Sequence, residues 1–395
     1  MKPLSDIANK IHGQPMFQVL EKVQALERKG RDILHFELGE PDFDTPPNIV
    51  NAAITALGNG VTHYTSSFGL HRFREVACAA TAKSRGFSPD ISQVLVTPGA
   101  NAIIYYTIKC IVSPGEEVII PNPGFPTYFS AAAACGARAV SVRLRPEKKF
   151  VIQAEDVDAA VTDKTKLLII NTPSNPTGAA MSEAEIRAVY DVAERHDLYV
   201  LSDEIYSRLI YSPDRRFFSA SSIDGCRERT IVINGFSKAF AMTGWRLGCA
   251  IAPPHVIEKM GLLNETIVSC VPPFIQEAGV EAIVGDQTKV REMAREYRNR
   301  STRLAEGLDK IEGISCPTPA GAIYVFPDIR GTGMTSDEFA DFALNAAGVA
   351  VCPGTSFGEH GEGFVRFSSV NSTANIDKAI ERLREALALR KRMGK

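Results

Sequence analysis

The chain has 395 residues, of which 45% are hydrophobic and 23% charged, and its formal net charge is −2. That length asks for more than one hydrophobic core, the composition is that of a globular protein, and the charge balance gives no basis for nucleic acid or an anionic membrane as partner. Met1-Lys2-Pro3-Leu4-Ser5-Asp6 lacks an apolar signal core, no run is long enough to span a bilayer, and the eight cysteines are scattered without a C-x-x-C pair, as expected for reduced thiols in the cytoplasm.

Phe17, Leu20, Val23 and Leu26 recur at helical spacing and predict a first helix. A strand follows at Ile33–Leu38, then a loop, Gly39-Glu40-Pro41-Asp42-Phe43-Asp44-Thr45-Pro46-Pro47, kept out of helix by its prolines. Pro46-Pro47 opens a helix over Asn48–Leu57, and Tyr64 lies in the loop beyond it. After a helix near 71–86, the strand Val94–Thr97 runs into Pro98-Gly99-Ala100-Asn101 and a helix to Ile111. A strand, a small-residue turn and a helix N-terminus can hold an anion, although the same pattern serves as an ordinary turn. Strand Glu117–Ile120 leads to a loop with Phe125. Strand Leu167–Asn171 ends in Thr172-Pro173-Ser174-Asn175-Pro176-Thr177-Gly178, and Ser182 with Glu185 makes a capping box for the next helix. Strand Leu198–Leu201 runs into Ser202-Asp203-Glu204-Ile205-Tyr206, and Thr230–Ile233 into Asn234-Gly235-Phe236-Ser237-Lys238.

The alternation from about 50 to 290 predicts a parallel sheet covered by helices on both faces. Gly99, Asn175, Asp203 and Lys238 then all fall just past a strand's carboxyl end, where such sheets bind ligands. Lysine after a buried strand is costly unless its amine is used, and imine formation is one such use. A long amphipathic helix from Val290 to Ile311 precedes shorter strands at Ala322–Phe326, Val349–Val351 and Phe364–Ser368. The expected division is an N-terminal arm with part of the small domain (1–46), a large domain (47–290), and a linker helix with a small α+β domain (291–395).

Gly39-Glu40-Pro41-Asp42, Asn175-Pro176-Thr177-Gly178, Asp203-Glu204-Ile205-Tyr206 and Ser237-Lys238 through Thr243-Gly244-Trp245-Arg246-Leu247-Gly248, in this order, resemble the class I/II aminotransferases. These are fold-type I enzymes of the aspartate aminotransferase superfamily, and the resemblance covers essentially the whole chain. It implies pyridoxal 5′-phosphate as cofactor, no metal, and a ping-pong exchange between an L-amino acid and a 2-oxo acid. In that scheme Lys238 is the Schiff-base lysine and proton carrier, and Asp203 pairs with the pyridine nitrogen. Tyr206 and Asn175 hydrogen-bond the phenolic oxygen, and Phe125 stacks on the ring. Gly99, Ala100, Asn101, Ser237 and Arg246 hold the phosphate, joined by Tyr64 from the partner of a homodimer. Arg366 clamps the substrate α-carboxylate, with Asn175 and the Gly39 backbone beside it.

There are two departures from the pattern. Gly235 replaces a phosphate-binding serine of some relatives, and neither Thr266 nor Asn101 is the cation that dicarboxylate-specific members carry. The expected substrate is therefore not strictly a dicarboxylate, with Arg72, Arg143 and Lys109 as remaining cations to place. A lyase or oxidase on the same scaffold is the alternative, since the cofactor carries the chemistry in all three. A non-catalytic binding module need not keep Lys238, Asp203, Arg246 and Arg366 together. Gly354-Thr355-Ser356-Phe357-Gly358 matches a hydrolase nucleophile elbow, but is expected to be a turn near the substrate mouth.

Overall fold

The computed structural model describes residues 2–5, 7–11, 13–211 and 217–394; Met1 and Asp6 of the N-terminal stretch lie outside them. Strands follow in the order β1 (Leu34–His35), β2 (Val94–Thr97), β3 (Glu117–Asn122), β4 (Arg138–Arg143), β5 (Thr165–Asn171), β6 (Tyr199–Asp203), β7 (Thr230–Gly235), β8 (Gly248–Ile251), β9 (Tyr324–Val325), β10 (Val349–Ala350), β11 (Cys352–Pro353) and β12 (Val365–Ser368). Among the described residues, seven of them form one sheet in the order β2-β8-β7-β6-β5-β3-β4. It is parallel except for β8, which runs antiparallel to both β2 and β7. The expected parallel sheet is thus mixed. The chain enters β8 directly from the loop carrying Lys238 and Arg246, without the crossover helix that a parallel strand needs.

Both faces of the sheet are buried, and β5 shows how. Leu167 and Ile169 pack on one side with Ile103, Ile104 and Tyr128, while Leu168 and Ile170 pack on the other with Ile186 and Val189. This is the period of two working on a strand apolar at every position. The helix Glu183–Arg195 starts at the expected capping box, with Ser182 and Glu185 each accepting from the other's backbone N–H.

A second layer of short strands closes over one end. β1 pairs with β10 in parallel, and β12 lies between β11 and β9. The apolar runs expected as longer strands here stop pairing early. Phe36 N–H still bonds to Ala350 O at 2.9 Å, but the next carbonyl, Glu37 O, is taken by Arg366. At Ala322 the chain turns through φ 60° and its N–H goes to Leu209 O at 2.9 Å, so only Tyr324–Val325 remains strand. The helix Thr288–Asp309 joins the two layers and buries Val290, Met293, Tyr297, Leu304 and Leu308, as its periodicity predicts.

His35 ties the N-terminal helix to β1. Its Nδ1 is 2.8 Å from Glu37 Oε1 and its Nε2 2.9 Å from Glu27 Oε1. The Glu37 hydrogen bond, helped by Glu27 and opposed by burial, raises the imidazole from its ordinary 6.5 to about 9. A raised folded value means the added stability is complete below pH 6.5 and lost as pH rises through about 9. Melting temperature is therefore expected to fall over that window in the native chain and to fall less in His35→Gln. Parallel curves for the two proteins would refute the linkage.

Candidate active site

A cavity of about 380 Å³ opens at the carboxyl ends of the central strands, and most of the residues singled out above line it. Gly39, Ala100, Asn101, Phe125, Asn175, Asp203, Tyr206, Ser237, Lys238, Arg246 and Arg366 are all on its wall. Asp203 is the last residue of β6 rather than past its end, and Asn175 and Lys238 follow β5 and β7 in the loops. Tyr64 is 88% exposed and does not reach the cavity of its own chain.

The Lys238 Nζ donates to Gly39 O at 2.5 Å. Removal from water pushes this amine below the ordinary lysine value. Arg366 and Arg246 push the same way, against Tyr324 and Glu40. The result is an amine primed to lose its proton, as base or nucleophile chemistry requires.

Asp203 is the counterpart. Its side chain accepts from Tyr128 Oη at 2.6 Å and from the Ile205 N–H at 3.2 Å. No cation pairs with it among the described residues, and burial lifts its carboxyl from 3.8 to about 6, the two hydrogen bonds only partly opposing. A buried carboxylate at a cavity wall without a cation is a site for a cationic nitrogen.

Gly99, a helix N-terminus and Arg246 come together at another part of the wall. Gly99, at φ 85°, precedes the helix Ala100–Ile111, and a Cβ on it would fall 2.4 Å from Nη2 of Arg246. Glycine thus lets the guanidinium reach the helix N-terminus. Arg246 Nη1 donates to Thr243 O at 2.9 Å, and Ser237 lies on the same wall. Free N–H groups, the helix dipole and a planar cation together suit a phosphate.

Arg366, on β12, is 1% exposed. Its Nη1 donates to Asn175 Oδ1 at 3.0 Å and its Nη2 to Glu37 O, and its plane lies between the rings of Tyr324 and Phe357 at 4.5 and 4.6 Å. Its Nε has no partner among the described residues. Asn175, with its oxygen on Arg366, keeps its amide N–H groups as donors.

Several wall residues were not foreseen. Tyr128 holds Asp203, and Tyr324 Oη lies 2.9 Å from Tyr206 Oη. Asn171 Oδ1 accepts from Asn175 N–H at 2.8 Å. Gln14, Met16 and Phe17 arrive from the N-terminal segment, with Gln14 Nε2 donating to Thr127 Oγ1 at 2.9 Å. Asp42, in the Gly39–Asp42 motif, grips Arg300 Nη1 through both oxygens at 2.8 Å, so that part of the motif is a clasp to the joining helix.

The other cations are elsewhere. Lys109, Arg72 and Arg143 do not line the cavity, and Arg72 pairs with Glu277 at 2.9 Å. Thr266 is exposed and donates to Leu262 O. Gly354–Phe357 is a short 3-10 helix that places the Phe357 ring against Arg366, and the His360 imidazole stands by Glu359. The nucleophile-elbow motif is thus a turn beside the buried Arg366.

The family described as aminotransferase class I and II matches residues 31–383. An aspartate aminotransferase of Musicola paradisiaca is 36% identical over 391 residues, covering 98% of this chain and 97% of its own. The aromatic-amino-acid aminotransferase 2 of Thermococcus litoralis is 37% identical, with 98% and 99% covered. The structure of aspartate aminotransferase from Thermus thermophilus with maleate matches with a TM-score of 0.93 at 34% identity, covering 98% of this chain and all of that one.

Proposed function

We propose, from the premise that this chain belongs to the aminotransferase class I and II family, that the cavity holds pyridoxal 5′-phosphate and exchanges an amino group between an L-amino acid and a 2-oxo acid. The chain is a transaminase with the fold-type I architecture of its relatives. Amino-group transfer is favoured over the lyase or oxidase alternative, because the relatives named above are aminotransferases. The finer reading rests above all on one observation: an uncompensated buried carboxylate, a desolvated amine and a phosphate-shaped anion site share one cavity.

The residues present fit the cofactor. Ser237, Arg246 and the N–H groups of Gly99, Ala100 and Asn101 would hold its phosphate. Asp203 would hold a proton on its ring nitrogen, and Tyr206 and Asn175 would donate to its phenolic oxygen. Phe125 would lie against its ring. When bound, the cofactor supplies an electron sink for the carbanion formed at the substrate α-carbon. Lys238 would take the proton from that carbon and deliver it to C4′ of the cofactor, the shift that amino-group transfer requires. The downward shift of its basicity, caused first by burial, favours its work as a base.

Arg366 would take the α-carboxylate, with the Gly39 backbone alongside. Arg366→Ala is expected to raise KM for every amino acid by roughly 10²-fold, the scale of one charge-assisted bidentate contact. A rise confined to one substrate would reassign Arg366 to side-chain recognition. Met16, Phe17, Leu38 and Ile104 give the cavity wall apolar surface, beside Gln14 and Glu40. Its cations, Lys238, Arg246 and Arg366, all have roles in this scheme. A neutral or unusual amino acid fits this wall better than strict aspartate specificity.

A homodimer is supported by what one chain leaves open. Arg246 and Asn101, at the phosphate end, are exposed, and so is Tyr64. The Tyr64 loop packs on the helix Pro254–Val268 through Asn264 Nδ2 to Ser67 O at 2.7 Å, and that helix exposes Leu262, Ile267 and Val268. A second copy on this face would bring its Tyr64 to the phosphate; sedimentation as a monomer would end this reading. No helix among the described residues is long and apolar enough to cross a membrane, and the eight free cysteines fit the cytoplasm.

The deciding experiment mixes the cofactor-loaded protein with single amino acids and no oxo acid. Loss of the yellow colour with one equivalent of oxo acid released is expected, and it names the amino donor. Persistent colour with continuing product and ammonia would mean a lyase or oxidase.

A further inference from the structure

Tyr324 is a buried residue of the small sheet that touches three parts of the site. Its hydroxyl is 2.9 Å from that of Tyr206, and the two rings meet edge-on at 5.7 Å and 80°. Its ring covers the Arg366 guanidinium at 4.5 Å. A Cβ on Gly39 would collide with its hydroxyl at 2.0 Å, so it also sits against the backbone that accepts from Lys238. The chain delivering it is anchored on the large sheet's side. Gly321 N–H bonds to Gly178 O at 3.0 Å, Ala322 N–H to Leu209 O at 2.9 Å, and Tyr211 Oη donates to Ala322 O. Tyr324 is therefore placed by the loops that follow β5 and β6, the same loops that carry Asn175 and Tyr206.

We propose that Tyr324 is a positioning residue that acts through Tyr206: it donates its proton to the Tyr206 oxygen, leaving the Tyr206 proton for the cofactor's phenolic oxygen, while its ring fixes the plane of Arg366. The proposal rests on the pyridoxal-phosphate reading of the cavity. Two phenols share one contact, and only one proton fits between their oxygens. If Tyr206 donated to Tyr324, it would have none left for an acceptor in the cavity. With a phenolic oxygen there, the reverse order satisfies one more acceptor, and a donor that itself receives a hydrogen bond is strengthened. Burial pushes the Tyr206 phenol well above its ordinary value, so it keeps its proton at neutral pH.

The test uses the cofactor-loaded protein without substrate and follows the pH midpoint of its visible absorbance. Tyr324→Phe weakens donation by Tyr206, leaves more negative charge on the phenolic oxygen and so holds the proton on the Lys238 nitrogen more tightly. The midpoint is expected to rise by roughly 0.5–1 pH unit. KM for the amino acid should stay constant, because the ring over Arg366 is kept. Tyr324→Leu removes the ring as well and should raise KM about 5-fold or more. In a Tyr206→Phe background, Tyr324→Phe should move the midpoint no further. An unmoved midpoint in Tyr324→Phe would reduce Tyr324 to packing. An equal shift in both backgrounds would show that it acts without Tyr206. A protein that gives no visible band with pyridoxal phosphate would remove the premise, a failure distinct from either.

Discussion

Replacing Lys238 by alanine is expected to cut turnover by about 10⁴-fold or more while leaving a folded protein. In the proposed scheme one amine is both covalent anchor and proton carrier, so its loss would remove two functions at once, and such effects do not add. Folding should tolerate the change. The amine is held out of water and its one hydrogen bond is to Gly39 O, so alanine removes a desolvated base rather than a stabilising ion pair. Three measurements separate the possibilities. Borohydride treatment of the loaded native protein should fix the cofactor to the peptide that carries Lys238. The variant should keep its melting temperature within a few degrees. Its single-turnover rate should fall with its steady-state rate, since the proton transfer itself is lost. Turnover close to native, or fixation at another lysine, would end the assignment.

The parts of the site that were legible share a local signature. Gly99, Asn175 and Lys238 each follow an apolar run that must be a strand, and Asp203 closes one, so the sheet's geometry brings them to its carboxyl end wherever the helices lie. Arg366 was legible only through the family pattern. A buried arginine in a strand is unusual, but nothing local says that its plane will sit between Tyr324 and Phe357. Tyr128 and Tyr324 were missed for a different reason. Each is buried in an apolar stretch, and a tyrosine whose hydroxyl reaches a partner across the fold reads like any core tyrosine. Gln14, Met16 and Phe17 come from a segment whose helical period predicts burial of Phe17, yet Phe17 is 53% exposed and Met16 is buried. The first helix uses its N-terminal end to line the cavity mouth, and a periodicity argument addresses only the face turned to the core. The small strands are shorter than their apolar runs because backbone groups leave the ladder for the cavity, as Glu37 O does for Arg366.

Arg246, Arg366, Asp203 and Lys238 all line one cavity, with the N-terminus of the helix Ala100–Ile111 on the same wall. After burial, Arg366 and Arg246 further lower the basicity of the Lys238 amine, and a bound carboxylate and a bound phosphate would each cancel one of them. Ligand binding should thus raise the basicity of Lys238 when a base is needed.

Asp203→Asn should cut turnover by about 10²–10⁴-fold, the range for loss of a positioned proton-holding group, and it should also change how the cofactor-free protein responds to pH. Burial raises the Asp203 carboxyl from 3.8 to about 6. For an acid whose folded value lies above its unfolded one, stability is highest while both states are protonated and is lost as pH rises through the folded value. The cofactor-free native chain should therefore lose melting temperature between pH 3.8 and about 6 from this residue, and the asparagine variant should not. The readout is the difference in slope, because the amide also gives up a hydrogen bond. Tyr128 Oη and the Ile205 N–H are both donors, and one of them will face the amide nitrogen. Saturating pyridoxal phosphate should restore the native chain above pH 6, since a ring-nitrogen proton beside Asp203 supplies the missing cation, and should restore the variant much less. Identical slopes for the two proteins would mean that Asp203 carries no buried charge in the empty site. Equal stabilisation by the cofactor would mean that Asp203 does not meet the ring nitrogen.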